Sequence, residues 1–284
     1  MHNVREKINM SENQKHPYHL VDPSPWPLVT AISLLVLAYG LVMLMHQEKS
    51  VLFYIGGAAV LLSSILWWKD VVDESKSGKF HNKVVQIGLR YGMILFIASE
   101  VMFFSAWFWA FFDVAFYPGS ESPELIGRQE SLGGVFPPED IELIPPFGIP
   151  LLNTFILLAS GGTITWAHHA LRENDRKNFM LFLFLTIVLG VIFTGFQAYE
   201  YEHATFSISD GIYPSTFYMA TGFHGAHVII GTLFLIVCFF RGMTVTLVLK
   251  NIWALICCCG IGILLMLYGC SYSLSFTGGL PYNH

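Results

Sequence analysis

The residue with the clearest chemical potential is Glu100, a carboxyl group in the middle of an apolar stretch. An isolated carboxylate in an apolar environment costs several kcal/mol unless it is protonated, paired or hydrated. We expect such a residue to exchange protons, or to face a lipid or a partner. The alternative is a protonated structural acid that hydrogen-bonds to a neighbouring helix, and the residues alone leave both interpretations open.

Histidine is the second residue type that could carry chemistry. His224 and His227 are three residues apart, so they share one face of a helix. More polar side chains close two other apolar stretches, namely His168, His169, Glu200, Glu202 and His203. Such a set could hold a haem or a metal ion, but the sequence lacks C-x-x-C-H, H-E-x-x-H and a copper-type His–Cys cluster. We therefore expect no metal in this chain, and we expect hydrogen bonds among the helix-end His and Glu side chains.

The composition indicates which elements must position these residues. The chain has 284 residues, 54% of them hydrophobic and only 12% charged, whereas an average soluble domain carries about 25% charged residues. So few charges cannot cover a soluble globule of this size, and the class is a polytopic membrane protein. The same composition excludes a disordered chain and a nucleic-acid-binding protein. A disulfide-stapled secreted domain is excluded because the 5 cysteines lie in apolar runs.

Seven apolar stretches have about the 20-residue length that a helix needs to cross a bilayer. They are 26–45, 51–68, 89–112, 150–171, 179–199, 213–240 and 252–276. Of the 15 Lys and Arg residues, all except Lys49 and Arg128 lie in the N-terminal tail, in alternate loops or at their edges. The positive-inside rule then places the N-terminus inside. The predicted fold is an all-α integral membrane protein of seven transmembrane helices, the first two forming a hairpin.

Composition also divides the chain into segments. The first three are a polar N-terminal tail (1–25), a two-helix transmembrane hairpin (26–68) and a basic inner loop (69–88). Residues 89–241 hold the third to sixth spans, with an acidic outer loop at 113–149. Residues 242–284 form a tail with an apolar seventh span. From the residues alone, the chain is a channel, a transporter or a subunit packed beside another protein.

Several strings in the sequence carry a more specific resemblance. They are YHLVDPSPWP at 18–27, RYGMILF at 90–96 leading into Ser99 and Glu100, PLLNT at 150–154, TWAHH at 165–169, ISDG at 208–211, TGFHG at 221–225 and HVIIG at 227–231. Together, from about Tyr18 to Arg241, they resemble subunit III of the haem–copper, aa3-type cytochrome c oxidase.

The resemblance implies an architecture and a role. In this family the first two helices form a V against a bundle of five, and phospholipids lie in the cleft. The family's subunit III carries no redox centre; haem a and copper belong to partner subunits. It packs mainly against subunit I, with subunit II in the same complex, and it is associated with sustained proton uptake and turnover. The host membrane would be a bacterial cell membrane or the mitochondrial inner membrane.

The resemblance also assigns roles to particular residues. Glu100 matches the family's intramembrane acid. Positions that contact lipids in relatives are matched by Trp68, Glu74, His81 and Arg241. The polar residues that belong to the family's motif helices are His168, His169, Glu200, His224 and His227.

The tail departs from the family after about Arg241. The family ends in a Trp-rich seventh helix that contains a string resembling W-Y-W-H-F-V-D-V-V-W, whereas residues 252–279 are apolar but unlike it. Codons permitted by residues 259–269, read one base earlier, can spell that string. We therefore infer a single-nucleotide frameshift between about Arg241 and Lys250; the alternative is a diverged tail that happens to be hydrophobic.

We interpret the chain as a non-catalytic subunit of cytochrome c oxidase that supports proton uptake, lipid binding and stability of the complex. A stand-alone proton-coupled transporter using Glu100 is one alternative, and the lack of an internal repeat counts against it. Subunit III of a related quinol oxidase is the other, because it uses the same helix architecture.

Overall fold

Six long helices account for most of the described chain. The computed structural model describes residues 18–47, 51–77, 80, 83–119, 127–128, 132, 134–138, 141–142, 144–145 and 147–243. The helices are α1 (Trp26–Gln47), α2 (Val51–Ser77), α3 (Lys83–Phe116), α4 (Ile149–Arg172), α5 (Arg176–Glu202) and α6 (Ile212–Met243). All 6 are long and apolar enough to cross a membrane, which confirms the predicted helical class and six of its spans. The seventh span, 252–276, lies outside the described residues.

Two of the helices run well beyond the apolar stretches that predicted them. α2 continues to Ser77, and α3 extends from Lys83 to Phe116. Residues 69–77 and 83–88, which the sequence analysis assigned to the inner loop, are therefore helical, as are 113–116 of the outer loop. The hydropathy pattern ends where the apolar side chains end, but backbone hydrogen bonds continue through charged residues such as Lys and Glu, which favour helix.

α1 and α2 form a tightly packed pair. A Cβ atom on Gly40 would overlap the backbone at Phe53, and one on Gly56 would lie 2.6 Å from Leu37 Cα. Small residues allow helix backbones to approach closely in a membrane, where packing rather than water exclusion drives association. The two glycines explain how the backbones of this hairpin approach each other so closely.

The chain divides into two compact units, and the division falls inside α3, after Gly92. In the second unit, aromatic side chains of α3 and α6 form one core with Phe206. A second core joins α4, α5 and α6 through Ala167, Phe179 and Cys238. Between α5 and α6 the approach is very close, since a Cβ atom on Gly190 would lie 2.5 Å from Thr232 Oγ1. These contacts fix α6 in place.

Candidate proton site between two membrane helices

Glu100 of α3 and His227 of α6 form a hydrogen-bonded pair. The distance between Glu100 Oε2 and His227 Nε2 is 2.8 Å, and the two side chains are 25% and 23% exposed. The residues are 127 positions apart in the sequence, so the contact exists only because α3 packs against α6. The structure therefore gives Glu100 a hydrogen bond to a neighbouring helix, and its proton-exchanging role stays a prediction.

The second ring nitrogen of His227 decides how many protons this pair holds. His227 Nδ1 lies 2.6 Å from the carbonyl oxygen of Phe223, one helical turn earlier in α6. A carbonyl oxygen only accepts, so Nδ1 must carry a proton and donate it. If Nε2 and the carboxylate were both unprotonated, two lone pairs would face each other. The geometry therefore requires one proton between Oε2 and Nε2, on the acid or on the imidazole.

Aromatic rings surround the pair. The ring centroid of Phe104 lies 5.3 Å from that of His227, and the ring of Phe103 packs 5.0 Å from that of Phe223. Trp107 extends the same contact, 5.6 Å from Phe223. Such surroundings hold few polar groups, and a low dielectric strengthens a hydrogen bond between the two groups while penalising any unpaired charge.

A second hydrogen-bonded contact holds α6 against α5. Thr221 Oγ1 lies 2.7 Å from the carbonyl oxygen of Phe217 and 2.6 Å from Tyr201 Oη. Because the threonine hydroxyl donates its one proton to the carbonyl, Tyr201 must donate to Thr221. Thr221 is on the same helix as His227, so its bond to Tyr201 helps to set the position of His227 opposite α3.

His224 has different neighbours from His227, although both were predicted on one helix face. His224 is 5% exposed and lies edge-on to Phe193 of α5, with 5.6 Å between the ring centroids. Among the residues that the structure describes, neither of its ring nitrogens has a hydrogen-bond partner. The structure therefore brings only His227 to Glu100, whereas His224 is buried against α5.

The remaining polar residues of the motif helices do not form one cluster. The rings of His168 and His169 are 6.0 Å apart at the end of α4. Glu200 is buried near the end of α5. A short turn joins the end of α4 to the start of α5, so Glu200 lies at the opposite end of this helix pair from the two histidines. In the part of the chain that the structure describes, no group of three or more His, Cys, Asp or Glu side chains could hold a metal ion.

The residues predicted to contact lipid are spread over two helices. Trp68 is 58% exposed at the end of the predicted span, and Glu74 lies beyond it in the extended part of α2. Arg241 lies in the last turn of α6. His81 lies outside the described residues, so the proposed lipid contacts of these four positions stay predictions.

Sequence reasoning missed the partner of Glu100. It singled out both residues, but spacing along one helix gives no information about which side chains two helices bring together. A usable signal was that an ionisable residue within a membrane span needs a partner, since His227 is one of the few candidates inside another span.

The fold and this site together define a multi-pass membrane protein with an acid–imidazole pair between two of its spanning helices. Comparison with known proteins is more specific. The sequence model described as "Cytochrome c oxidase subunit III" matches residues 16–255. Over 229 residues the chain is 54% identical to cytochrome c oxidase subunit 3 of Bos taurus, covering 81% of this chain and 84% of that protein. Subunit 3 of Dugong dugon is 53% identical and that of Tragelaphus oryx 52% identical, with the same coverage. The chain belongs to the cytochrome c oxidase subunit III family and is a multi-pass protein of a respiratory membrane.

Proposed function

We propose that this chain is a non-catalytic subunit of cytochrome c oxidase and that its Glu100–His227 pair supports proton uptake by the complex. The supporting observation is the 2.8 Å contact between Oε2 and Nε2, combined with the donor role of Nδ1. The pair holds one proton that either group can carry. It therefore keeps the same net charge when the proton moves between them.

A neutral one-proton pair suits proton storage inside a membrane. The two forms are a carboxylic acid beside a neutral imidazole and a carboxylate beside an imidazolium. Proton movement within the pair only redistributes charge locally. Taking up or releasing a further proton changes the net charge, which an apolar surrounding opposes. The pair should thus exchange with outside groups only when a neighbouring charge changes.

The partners follow from the family. We propose subunit I as the main contact, with subunit II in the same complex; these partners carry the haem a and copper. Bound phospholipids are proposed at Trp68, Glu74, His81 and Arg241. The relatives at 52–54% identity are named for cytochrome c oxidase, which favours cytochrome c over quinol as the electron donor and disfavours a stand-alone transporter.

The variant Glu100→Gln tests the proton role. A glutamine amide can still donate to His227 Nε2, but it cannot ionise, so packing is retained while proton exchange is lost. We expect normal haem a content and a nearly normal initial rate of oxygen consumption, with a several-fold drop in the number of turnovers before inactivation.

Ser99→Ala is the matched control. Ser99 is adjacent to Glu100, but its hydroxyl donates to the carbonyl oxygen of Phe96 at 2.7 Å and does not contact the pair. Durability should stay at the wild-type value in this variant. Loss of the haem-bearing subunit in Glu100→Gln would instead assign Glu100 to assembly, and unchanged durability would refute the proton role.

A further inference from the structure

A cavity of about 590 Å³ lies along α4 where it approaches the start of α5. It is outside the Glu100–His227 site, and its volume is within the range of about 300–1,000 Å³ that is usual for ligand pockets. It is lined by Leu158, Gly161, Gly162, Thr165, Trp166, His169, Ala170, Glu173, Asp175 and Asn178. We call it the α4 groove.

The α4 groove changes in polarity along its length. From Leu158 to Glu173 it follows α4 for 15 residues, which corresponds to about 22 Å at 1.5 Å per residue. The first part is lined mainly by Leu158 and two glycines, Gly161 and Gly162, which carry no side chains and so leave space for a ligand. Trp166, which is 61% exposed, marks the transition to a polar mouth at the α4–α5 turn. Tryptophan is enriched where the hydrocarbon of a membrane meets the headgroups.

The mouth of the groove presents two carboxylates, from Glu173 and Asp175. Asp175 accepts hydrogen bonds from the backbone N–H of Asn178 at 3.2 Å and from its side-chain amide at 2.5 Å, and a further one from the backbone N–H of Lys177. A carboxylate has about four lone-pair positions, so Asp175 retains acceptors for another donor. The hydrogen bonds from Asn178 hold the pKa of Asp175 below its usual value, and the group is ionised at neutral pH.

A cation adjoins these carboxylates. Lys177 lies close enough to Asp175 to interact with its charge. The mouth therefore offers carboxylate acceptors for an ammonium group, and the positive charge of Lys177, which does not line the groove, lies beside them for a phosphate. A headgroup that carries both charges matches this arrangement. An N–H-bearing ammonium suits free carboxylate lone pairs better than a quaternary ammonium, which has no hydrogen to donate.

The geometry points to the α4 groove as a binding site for one phosphatidylethanolamine, with an acyl chain along Gly161 and Gly162 and the headgroup at Glu173 and Asp175. This site is separate from the four lipid-contacting positions that the family resemblance implies, and it does not depend on the proton role of Glu100.

The test is photolabelling of the intact oxidase complex. Three probes carry the same acyl chain with a diazirine, and they differ only in the headgroup: phosphatidylethanolamine, phosphatidylcholine and phosphatidylglycerol. Mass spectrometry of the digested subunit measures labelling of the segment 158–178. We expect phosphatidylethanolamine to label it up to roughly fivefold more than phosphatidylglycerol, which is the ratio that one favourable exposed ion pair gives. Phosphatidylcholine should be intermediate.

Two glycines provide a matched pair of variants. A Cβ atom at Gly162 or at Gly195 would find nothing within 4 Å, and both residues are exposed on their helices. Gly162→Leu puts a side chain into the groove and should reduce phosphatidylethanolamine labelling about fivefold. Gly195→Leu, on α5 outside the groove, should leave it unchanged. Haem a content reports whether each complex has assembled.

The headgroup contact has its own variant. Glu173→Gln combined with Asp175→Asn should abolish the preference for phosphatidylethanolamine while leaving labelling by all three probes. Equal labelling by the three probes in the wild type would mean that only bulk lipid passes the groove. No labelling by any probe would mean that protein covers it. Either result overturns the proposal.

Discussion

At the scale of single residues, the structure turns a lone intramembrane acid into a pair. An ionised carboxyl group without a partner inside a membrane span costs several kcal/mol, so such groups are usually paired. The bond from Glu100 to His227 removes most of that cost, and the carbonyl oxygen of Phe223 holds the imidazole in one orientation. The pair is therefore pre-organised to hold one proton.

Carbodiimide labelling tests where that proton lies. A hydrophobic carbodiimide reacts with a protonated carboxyl group, and Glu100 is 25% exposed on its side chain. We expect dicyclohexylcarbodiimide to label Glu100 in the intact complex. The variant His227→Leu should raise the labelling rate, because an unpaired acid in an apolar surrounding stays protonated.

The control for this experiment is His224→Leu. His224 packs against Phe193, whereas the hydrogen bond to Glu100 comes from His227. Replacing His224 should therefore leave the labelling rate of Glu100 unchanged. Equal rates in the wild type and in His227→Leu would contradict the shared-proton geometry, since the imidazole would then have no influence on the acid.

At the scale of elements, α6 is placed by close contact with α5. A Cβ atom at Gly190 would meet Thr232 Oγ1 at 2.5 Å, and that hydroxyl already donates to the carbonyl oxygen of Val228 at 2.8 Å. The threonine cannot turn away without losing its bond. The position of His227 thus depends in part on Gly190, which lies about three helical turns before Tyr201 in α5.

The variant Gly190→Ala should destabilise the packing of α5 on α6. Overpacking of this kind costs about 1–3 kcal/mol, and it should be seen as a lower temperature for release of this subunit from the detergent-solubilised complex. Gly195→Ala, where the added atom meets nothing within 4 Å, should be neutral or slightly stabilising because alanine favours helix. Adding Thr232→Ala to Gly190→Ala should restore stability; failure of that rescue would show that the clash is not the cause.

The stability of the loop before α6 is predicted to depend on pH. Asp210 accepts hydrogen bonds from the backbone N–H of Ser207 at 2.6 Å and from its hydroxyl at 2.7 Å, which hold the pKa of Asp210 below its usual value. A lowered pKa means that the ionised form supports the folded loop. This support is complete above the usual aspartate pKa of about 3.9, and it is lost as the pH falls through the lower pKa of the folded protein.

Amide hydrogen exchange at Ser207 measures this effect. After correction for the intrinsic exchange rate, protection should be constant from pH 7 to pH 5 and should fall below about pH 3.9. Asp210→Asn should lose several-fold of its protection already at pH 7. Ser209→Ala is the comparison variant. The Ser209 hydroxyl lies 2.8 Å from Ser207 Oγ and 3.5 Å from Asp210 Oδ1, but the bond from the Ser207 backbone N–H to Asp210 remains in this variant, so protection should fall less than in Asp210→Asn. A wild-type profile in Asp210→Asn would show that the carboxylate does not hold the loop.

Helices were predictable to different degrees. The spans of α1, α4 and α5 follow from hydropathy, because insertion into a membrane depends on composition more than on residue order. The continuation of α2 from Lys69 to Ser77 was not visible, since its charged residues end the apolar pattern without ending the helix. The contact of Glu100 with His227 was also beyond the pattern, because it depends on which helices pack together.

At the scale of the whole molecule, the family sequence model matches residues 16–255. The departure of the tail after about Arg241 and the seventh span at 252–276 stay predictions from the sequence. Resequencing the gene should reveal one inserted or deleted base between the codons of about Arg241 and Lys250. An intact reading frame whose shifted codons do not spell the Trp-rich helix would refute the frameshift and leave divergence as the explanation.

Assembly of the chain into a complex depends on helix packing. Packing depends on the order of residues, whereas insertion into a membrane depends mainly on composition. The Glu100–His227 pair, the α4 groove and the α5–α6 contact all lie within residues that match the family. We therefore expect residues up to about 243 to be enough to place this chain in an oxidase complex.

Affinity purification of the tagged native chain from its own membrane, followed by an absorption spectrum and mass spectrometry, tests that central claim most directly. We predict haem a absorption bands and stoichiometric recovery of the haem-bearing subunit I and the copper-binding subunit II. A chain recovered alone and colourless, from membranes that contain assembled oxidase, would contradict it.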